Sequence, residues 1–346
     1  MTALATLSST QPYVEKSSLK NNSANPPVDI IRAVAYKLGI DVEALSGDWV
    51  LALTRKEKRQ IVYGYQFPLN DASSAFSCCD KAAASALLKV ARIPHIRTRI
   101  FSSMSEIETY AQKHQNNLVC KPKNGSGGSD ISHIRNPNEL VEAVNSFRSE
   151  RDLVLCAFKK IKHEFRVIML ENKAQVIFEK IPLSVKGDGE KTLSRLVSER
   201  LEKMVPFQAQ IAATKLDPSL FSSEEIPKLG DTVLLQWKHN LGQGAQCHLL
   251  GGEAVLEANP KMENDPVCSR LIELAQKTVD VLKVCFVSVD IVVLEDEPNP
   301  QKVFRVMEIN SGIMMNSLIK QHKNFGQRIA EIVYGKALKL MFPTDK

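Results

Sequence analysis

Three groups of residues have types and spacings that can do chemistry. The first is the loop Asn124-Gly125-Ser126-Gly127-Gly128-Ser129, which follows an apolar run ending in Lys121. Glycines have no Cβ to block approach, so their backbone N–H groups can converge on phosphate oxygens. An ammonium at the preceding strand end reaches the same oxygens. The loop is not a P-loop, because no Gly-Lys-Ser/Thr follows. It is not a dinucleotide fingerprint either, because Asp130 stands where the last glycine belongs. The plain alternative is a hairpin tip, with Lys121 a solvated strand end.

The second group is Asp290, Glu308 and Asn310. Side chains alternate along a strand, so Glu308 and Asn310 share a face, and antiparallel pairing would bring Asp290 to them. Two carboxylates and an amide are hard oxygen ligands, suited to magnesium held jointly with phosphates. The alternative is the solvent face of a sheet. Both carboxylates sit in strongly apolar runs, where an uncompensated charge costs several kcal/mol, which favours a bound cation. The third group is Glu164 and Arg166, which share a strand face. They form either a surface ion pair or a site where Arg166 holds a phosphate or carboxylate. The stretch His239-Asn240-Leu241-Gly242-Gln243-Gly244 is by itself a turn. The sequence shows no nucleophile elbow and no HExxH, and none of its seven histidines has a catalytic spacing to a cysteine or carboxylate.

Three units are expected to position these groups. Ile30, Ile31, Val34 and Leu38 recur at helical spacing before Gly39, and two strand-like runs follow, Trp49–Leu53 and Gln60–Tyr65. Asn70, Asp71, Ser73 and Ser74 mark a loop. The next unit reads as a helix over Ala82–Val90 capped by Asp80, a strand His95–Ile100, a helix Ser105–His114 and a strand Leu118–Lys121. The glycine loop, a return strand Ile131–Ile134 and a helix near Asn138–Ser146 complete it. The third has strands Phe165–Leu170 and Gln175–Lys180, an amphipathic helix with Leu193, Leu196, Val197 and Leu201, and a strand Thr232–Trp237. It ends with a helix after Asp265–Pro266 and the strands Phe286–Leu294 and Val303–Ile309. Residues 205–230 read as an insertion. The expected domains are a disordered tail 1–27, a small N-terminal domain 28–75, a central lobe 76–152 with the glycine-rich lid, and a C-terminal lobe 153–346 with the metal site.

The totals bound the class. The chain has 346 residues, 44% hydrophobic and 24% charged, enough for two or three small cores. A net charge of +6 without basic runs and interleaved aromatics does not point to nucleic acid. The seven cysteines form no CxxC pair and sit mostly in apolar runs, so they are read as reduced thiols in a reducing compartment. The start lacks the pattern of a signal peptide, and the run Val281–Leu294 carries Lys283 and Asp290 and is too short to span a bilayer. The expectation is a cytoplasmic protein with no membrane partner.

The ordered motifs DKAAASALLKVARIP, LVCKPKNGSGGSDI, EFRVIML, KIPLSVKGDGEKTL, HNLGQGA, VSVDIVV and VMEINSG together resemble the ATP-grasp ligases. They are most similar to the branch with cyanophycin synthetase, the ribosomal-protein glutamate ligases and bacterial glutathione synthetases. The similarity covers about residues 76–340. No Mur-ligase-like domain follows, so a full cyanophycin synthetase is not expected. The resemblance implies an α/β (α+β) ATP-grasp fold, with two α/β lobes gripping ATP after a small N-terminal domain. Lys81 and Lys121 would hold the nucleotide phosphates, and Gly125, Ser126, Gly127 and Gly128 would form the lid. Leu155, Cys156 and Phe158 would be the adenine-pairing hinge, and Glu164 the ribose-binding acid. Asp290, Glu308 and Asn310 would ligate Mg2+, or Mn2+ in its place. Arg166 would lie near the transferred phosphate, and Asn240 in a loop reaching the active site.

The chain departs from the family pattern at three places. Cys156 and Ala157 stand where a hinge acid is usual, which leaves adenine to backbone groups. Gln243 replaces a basic residue. Ser311-Gly312-Ile313-Met314-Met315 replaces a proline-containing turn, so an apolar acceptor pocket is expected.

The implied activity is ADP-forming ligation of a carboxylate to an amine through an acyl phosphate, with amino acids or short peptides as substrates and a homodimer allowed. Positioning and charge neutralisation would dominate catalysis. The rivals are a carboxylate–thiol ligase or carboxylate kinase on the same fold, and a non-catalytic nucleotide-binding regulator.

Overall fold

The computed structural model describes residues 26–124, 131–147, 153–204, 209, 213, 216–235, 244–249, 265–295, 297–299 and 303–343. Helix α1 (Pro26–Lys37) comes first. Pro26 and Pro27, grouped with the tail above, form its first turn, where a missing N–H would have had no partner. Pro27 is buried, so the tail boundary moves. Strands β1 (Asp41–Leu45), β2 (Val50–Arg55) and β3 (Lys58–Tyr63) make an antiparallel sheet in that order. Asp41 and Glu43 hide β1 from a reading based on apolar runs. Helix α2 (Ala72–Cys79) stands where a loop was expected. Asp71 caps it, Oδ1 accepting the Ser74 N–H at 2.9 Å, so the polar run is a helix start. Helix α3 (Lys81–Val90) follows at once, capped by Asp80.

The central lobe holds α4 (Met104–Lys113), β4 (Leu118–Pro122), β5 (Ser132–Ile134), α5 (Pro137–Asn145) and β6 (Leu153–Ala157), with strand order β5-β4-β6. Its core is Ile107, Leu118, Ile134, Leu140, Leu153 and Leu155. The expected strand His95–Ile100 is instead two isolated bridges, His95 to Val306 and Arg99 to Leu155.

The C-terminal lobe begins with β7 (Ile161–Leu170), β8 (Lys173–Pro182) and β9 (Ser184–Lys186). Helix α6 (Leu193–Glu202) and strand β10 (Thr232–Leu234) follow and, with β9, surround a small apolar cluster of their own. Strand β11 (Gly244–Leu249) takes up the end of the expected HNLGQGAQ loop. Helix α7 (Pro266–Leu282), strands β12 (Phe286–Leu294) and β13 (Phe304–Asn310), and the 26-residue helix α8 (Asn316–Met341) complete the chain. Five strands form one antiparallel sheet, β11-β8-β7-β12-β13, so the fold is mixed α/β with antiparallel sheets. Among the described residues no helix is long and apolar enough to cross a membrane.

The two faces of that sheet explain the rest. One packs Val167, Met169, Val287, Val289 and Ile291 against α7 and, through Ala84 and Leu88, against α3. Helix α3 was expected in the central lobe, but its apolar face lies on this one. The other face packs Ile168, Leu170, Phe178 and Phe286 with Val28, Ile31, Leu51 and Leu53 and with Tyr334 and Leu338 of α8. The N-terminal unit therefore shares its core with the C-terminal lobe. Helix α8 went unassigned from sequence because glycines and Asn weaken its propensity. Packing on α1 makes up for it, and a Cβ on Gly335 would sit 3.3 Å from Val34.

One polar hook fastens this shared core. Asn70 Oδ1 accepts the N–H groups of Cys285 and Phe286 at 2.7 and 2.9 Å, and its Nδ2 donates to Phe286 O at 2.8 Å. Replacing it with alanine orphans these groups. At roughly 1 kcal/mol for each bond, Asn70→Ala is expected to cost about 2–3 kcal/mol in urea unfolding. An unchanged midpoint would show that the hook does not fasten the two units.

Candidate functional site

The core-forming face of the sheet changes character along its length. Beyond Ile168 and Phe178 it carries Glu164, Arg166, Lys180, Asp290 and Glu308. Register sets this: Asp290 stands opposite Arg166 on β7 and opposite Glu308 on β13, and Asn310 opposite Ser288. A bulge at Met307 lies in the β12–β13 pairing beside Asp290; bulges re-aim neighbouring side chains. The expected antiparallel meeting of Asp290, Glu308 and Asn310 thus exists as a set of strand positions.

Asp290 is fully buried and fully engaged. Arg166 donates to it through Nε at 2.7 Å and Nη2 at 2.8 Å, and Lys180 Nζ donates to its Oδ2 at 3.3 Å. Burial pushes this carboxyl up, yet Arg166 and Lys180 hold it down at about 2. Lys180 also pairs with Glu164, itself 8% exposed. Burial disfavours the Lys180 charge, but Asp290 and Glu164 outweigh it and raise its pKa. Lys180 was missed from sequence. Its signal was the same as that of Asp290, a charge in register two within an apolar strand.

The opposing wall comes from α3 and β4. The Lys81 N–H donates to Lys123 O at 3.2 Å, which pins the start of α3 to the exit of β4. Lys121 is 8% exposed, and the Lys81 side chain lies 3.5 Å from Glu308. Burial lowers the pKa of Lys81, Glu308 opposes this, and Lys121 lowers it further. A buried and a partly buried ammonium in electrostatic reach of each other are a place where an anion is stabilised.

Leu155 exchanges both backbone bonds with Arg99 at 2.9 Å, and the Phe158 N–H donates to Asn117 O at 3.0 Å. Both Leu155 backbone groups and the Phe158 N–H are thus paired within the protein. Cys156 is buried and registers with Val119. The Phe158 ring stacks on His133 at 4.1 Å and, with Leu294, Asn117 and Glu297, lines a half-open cavity of about 220 Å³. Gly125, Ser126, Gly127, Gly128 and Asn240 lie outside the described residues. Two histidine pairings also escaped the sequence. His163 Nδ1 meets Glu179 at 2.7 Å, and His95 Nε2 meets Ser85 at 3.1 Å. His95 Nδ1 faces Ile93 O and Ser85 accepts the Thr98 N–H, so the second pair ties α3 to the segment that follows it.

The donor chemistry fits a magnesium ion shared with phosphates: Asp290, Glu308 and Asn310 offer hard oxygens on one sheet face. Among the described residues no group of three or more His, Cys, Asp and Glu side chains could hold a metal ion.

No family model matches the chain. It is 21% identical over 343 residues to cyanophycin synthetase of Trichormus variabilis, covering 94% of this chain and 36% of that protein. It is 22% identical over 249 residues to the glutathione biosynthesis bifunctional protein GshAB of Listeria welshimeri, covering 66% and 30%. The chain thus spans about a third of the length of these curated relatives. Among solved structures, the bifunctional glutathione synthetase of Pasteurella multocida superposes with a TM-score of 0.54 at 18% identity, over 92% of this chain and 43% of that one. At that identity the likeness is one of fold.

The ionic cluster has a stability signature. The Asp290 pKa lies below its ordinary 3.8, so the stability it contributes is present above that value and is lost as pH falls through about 2. Arg166→Met leaves Asp290 with Lys180 alone. The expected loss is about 3 kcal/mol in urea at neutral pH, the low end for breaking a buried pair, with acid unfolding moved to higher pH. Wild-type stability in this variant would mean that the pair is not buried.

Proposed function

The chain carries the ATP-grasp fold, and from that premise we propose that it is an ATP- and magnesium-dependent ligase joining a carboxylate to an amine. The observation that carries this reading is the meeting of Arg166, Lys180, Asp290 and Glu308 at one sheet end, opposite Lys81 and Lys121. Such a site holds phosphates and developing negative charge. No activated nucleophile is paired with a base and orienting group among the described residues at this site.

The substrate carboxylate therefore supplies the nucleophile. Its oxygen attacks the γ-phosphorus of ATP, the bond to the bridging oxygen breaks, and ADP leaves. The amine nitrogen then attacks the acyl carbon, loses a proton, and expels phosphate. Lys81 and Lys121 hold the nucleotide phosphates. Arg166 and Lys180 neutralise charge on the transferred phosphoryl group. Asp290, Glu308 and Asn310 would hold magnesium, which supplies charge stabilisation on the phosphate oxygens. Amino acids or short peptides are the substrates that the relatives' names suggest.

The test is ADP release with MgATP and a panel of amino acids, with hydroxylamine added in place of the amine. Mass spectrometry should find a hydroxamate of one carboxylate, and Glu308→Gln should abolish it while the melting temperature holds. Thiols accelerating turnover where amines do not would reassign the acceptor. ATP hydrolysis at one rate with or without any carboxylate, and no hydroxamate, would overturn the ligase reading.

A further inference from the structure

Helix α3 begins at Lys81, and Ser85 lies one turn further along it. The two residues share one helix face. With His95, Thr98 and Glu308 they line a cavity of about 20 Å³. That space admits about one water, so this face of α3 is a packed contact and not a ligand site.

The hydrogen bonds in this contact can be assigned atom by atom. Ile93 O only accepts, so His95 Nδ1 carries the proton and donates to it at 2.8 Å. Burial lowers the His95 pKa below its ordinary 6.5; the Ile93 bond opposes this, and Arg305 and Arg97 add to it. The ring is therefore neutral at neutral pH, and its Nε2 bears a lone pair. The Ser85 hydroxyl donates to that nitrogen at 3.1 Å, and its oxygen accepts the Thr98 N–H at 3.0 Å. Ser85 and Thr98 are both buried, so water does not compete for these bonds.

The segment that receives Ser85 touches each element carrying a phosphate-facing residue. The Ile96 N–H donates to Val306 O at 2.8 Å, and the Val306 N–H to Pro94 O at 3.0 Å, two residues before Glu308 on β13. Arg99 pairs with Leu155 of β6, whose neighbour Val154 stands opposite Lys121 on β4. Backbone bonds thus fix the segment to β13 and β6, whereas its tie to the Lys81 face of α3 is the Ser85 side chain. The bond from the Lys81 N–H to Lys123 O fixes where the helix begins. The Ser85 clasp fixes how the helix is turned. The 3.5 Å separation of the Lys81 ammonium from Glu308 is set across that clasp.

We infer that Ser85 and His95 are positioning residues for Lys81: their clasp fixes the rotation of α3 and so holds the Lys81 ammonium beside Glu308, where nucleotide phosphates are bound. This rests on the reading of Lys81 as a phosphate contact. A misplacement of about 1 Å is enough to weaken such a contact severely.

The experiment uses the full chain and calorimetric Kd values for MgATP. Ser85→Ala and His95→Phe should each weaken binding by roughly tenfold. In a Lys81→Met background the same changes should alter Kd by less than about twofold, because the lysine they act through is gone. Ser85→Thr, which keeps the hydroxyl, should restore binding. A merely structural role would carry the full loss into the Lys81→Met background, and that result overturns the inference. Melting temperatures are followed throughout. If Ser85→Ala does not fold, His95→Phe decides, because it leaves the bond between Ser85 and Thr98 in place. Lys81→Met with unchanged Kd would remove the phosphate reading of Lys81 and the inference with it. Weakened binding in Lys81→Met, with wild-type Kd in the Ser85 and His95 variants, overturns the inference alone.

Discussion

Everything in the C-terminal lobe has to accommodate one buried carboxylate. Asp290 is fully enclosed, and its isolated charge would cost several kcal/mol. Arg166 answers it with two hydrogen bonds, and Lys180 adds a third from the next strand. Those partners dictate the strand register, because Arg166 reaches Asp290 only when β7 and β12 pair as they do. A slip of one residue would turn Asp290 to the opposite, wholly apolar face. The ionic end of the sheet thus fixes the placement of its apolar end, and the N-terminal unit and α8 pack on the result.

The same arrangement leaves the site with a positive balance. Asp290, Glu164 and Glu308 bring three negative charges, and Arg166, Lys180, Lys81 and Lys121 bring four positive ones, an excess of one. Two of those cations stand in mutual repulsion at the exit of β4 and the start of α3. Phosphate oxygens would relieve that repulsion and let Arg166 and Lys180 loosen their hold on Asp290. A bound metal could then take their place without ever leaving the carboxylate bare. An exchange of partners of that kind would avoid exposing the buried charge without compensation.

Some of this was legible in the sequence, and the reasons differ by residue. Glu164, Arg166, Asp290, Glu308 and Asn310 betrayed themselves as charges or amides in apolar strands, and strand alternation gave their shared face. Lys180 carried the same signal and was passed over because it ended a strand rather than interrupting one. Leu155 is the opposite case: its backbone looks available in sequence, and only the pairing with Arg99 shows where both of its groups go. Asn70 and Asp71 read as a loop because the residue types that cap helices and hook backbones are also those that favour turns. No local pattern reveals that Asn70 binds a strand 215 residues away.

The shared core also fixes the link that follows Asn310. Tyr334 is fully buried in α8, stacks on Phe67 of the N-terminal unit, and donates its hydroxyl to Ile313 O at 2.9 Å. The link after Asn310 is therefore gripped from two directions, by α8 through Tyr334 and by the N-terminal unit through Tyr65 and Gln66. Its sequence, Ser311-Gly312-Ile313, has little freedom. Gly312 is closed in by Gly64, and Ile313 is buried. Cys79 and Gln66, which meet at the Cys79 sulfur beside Ser311, complete the packing of the link from the N-terminal side.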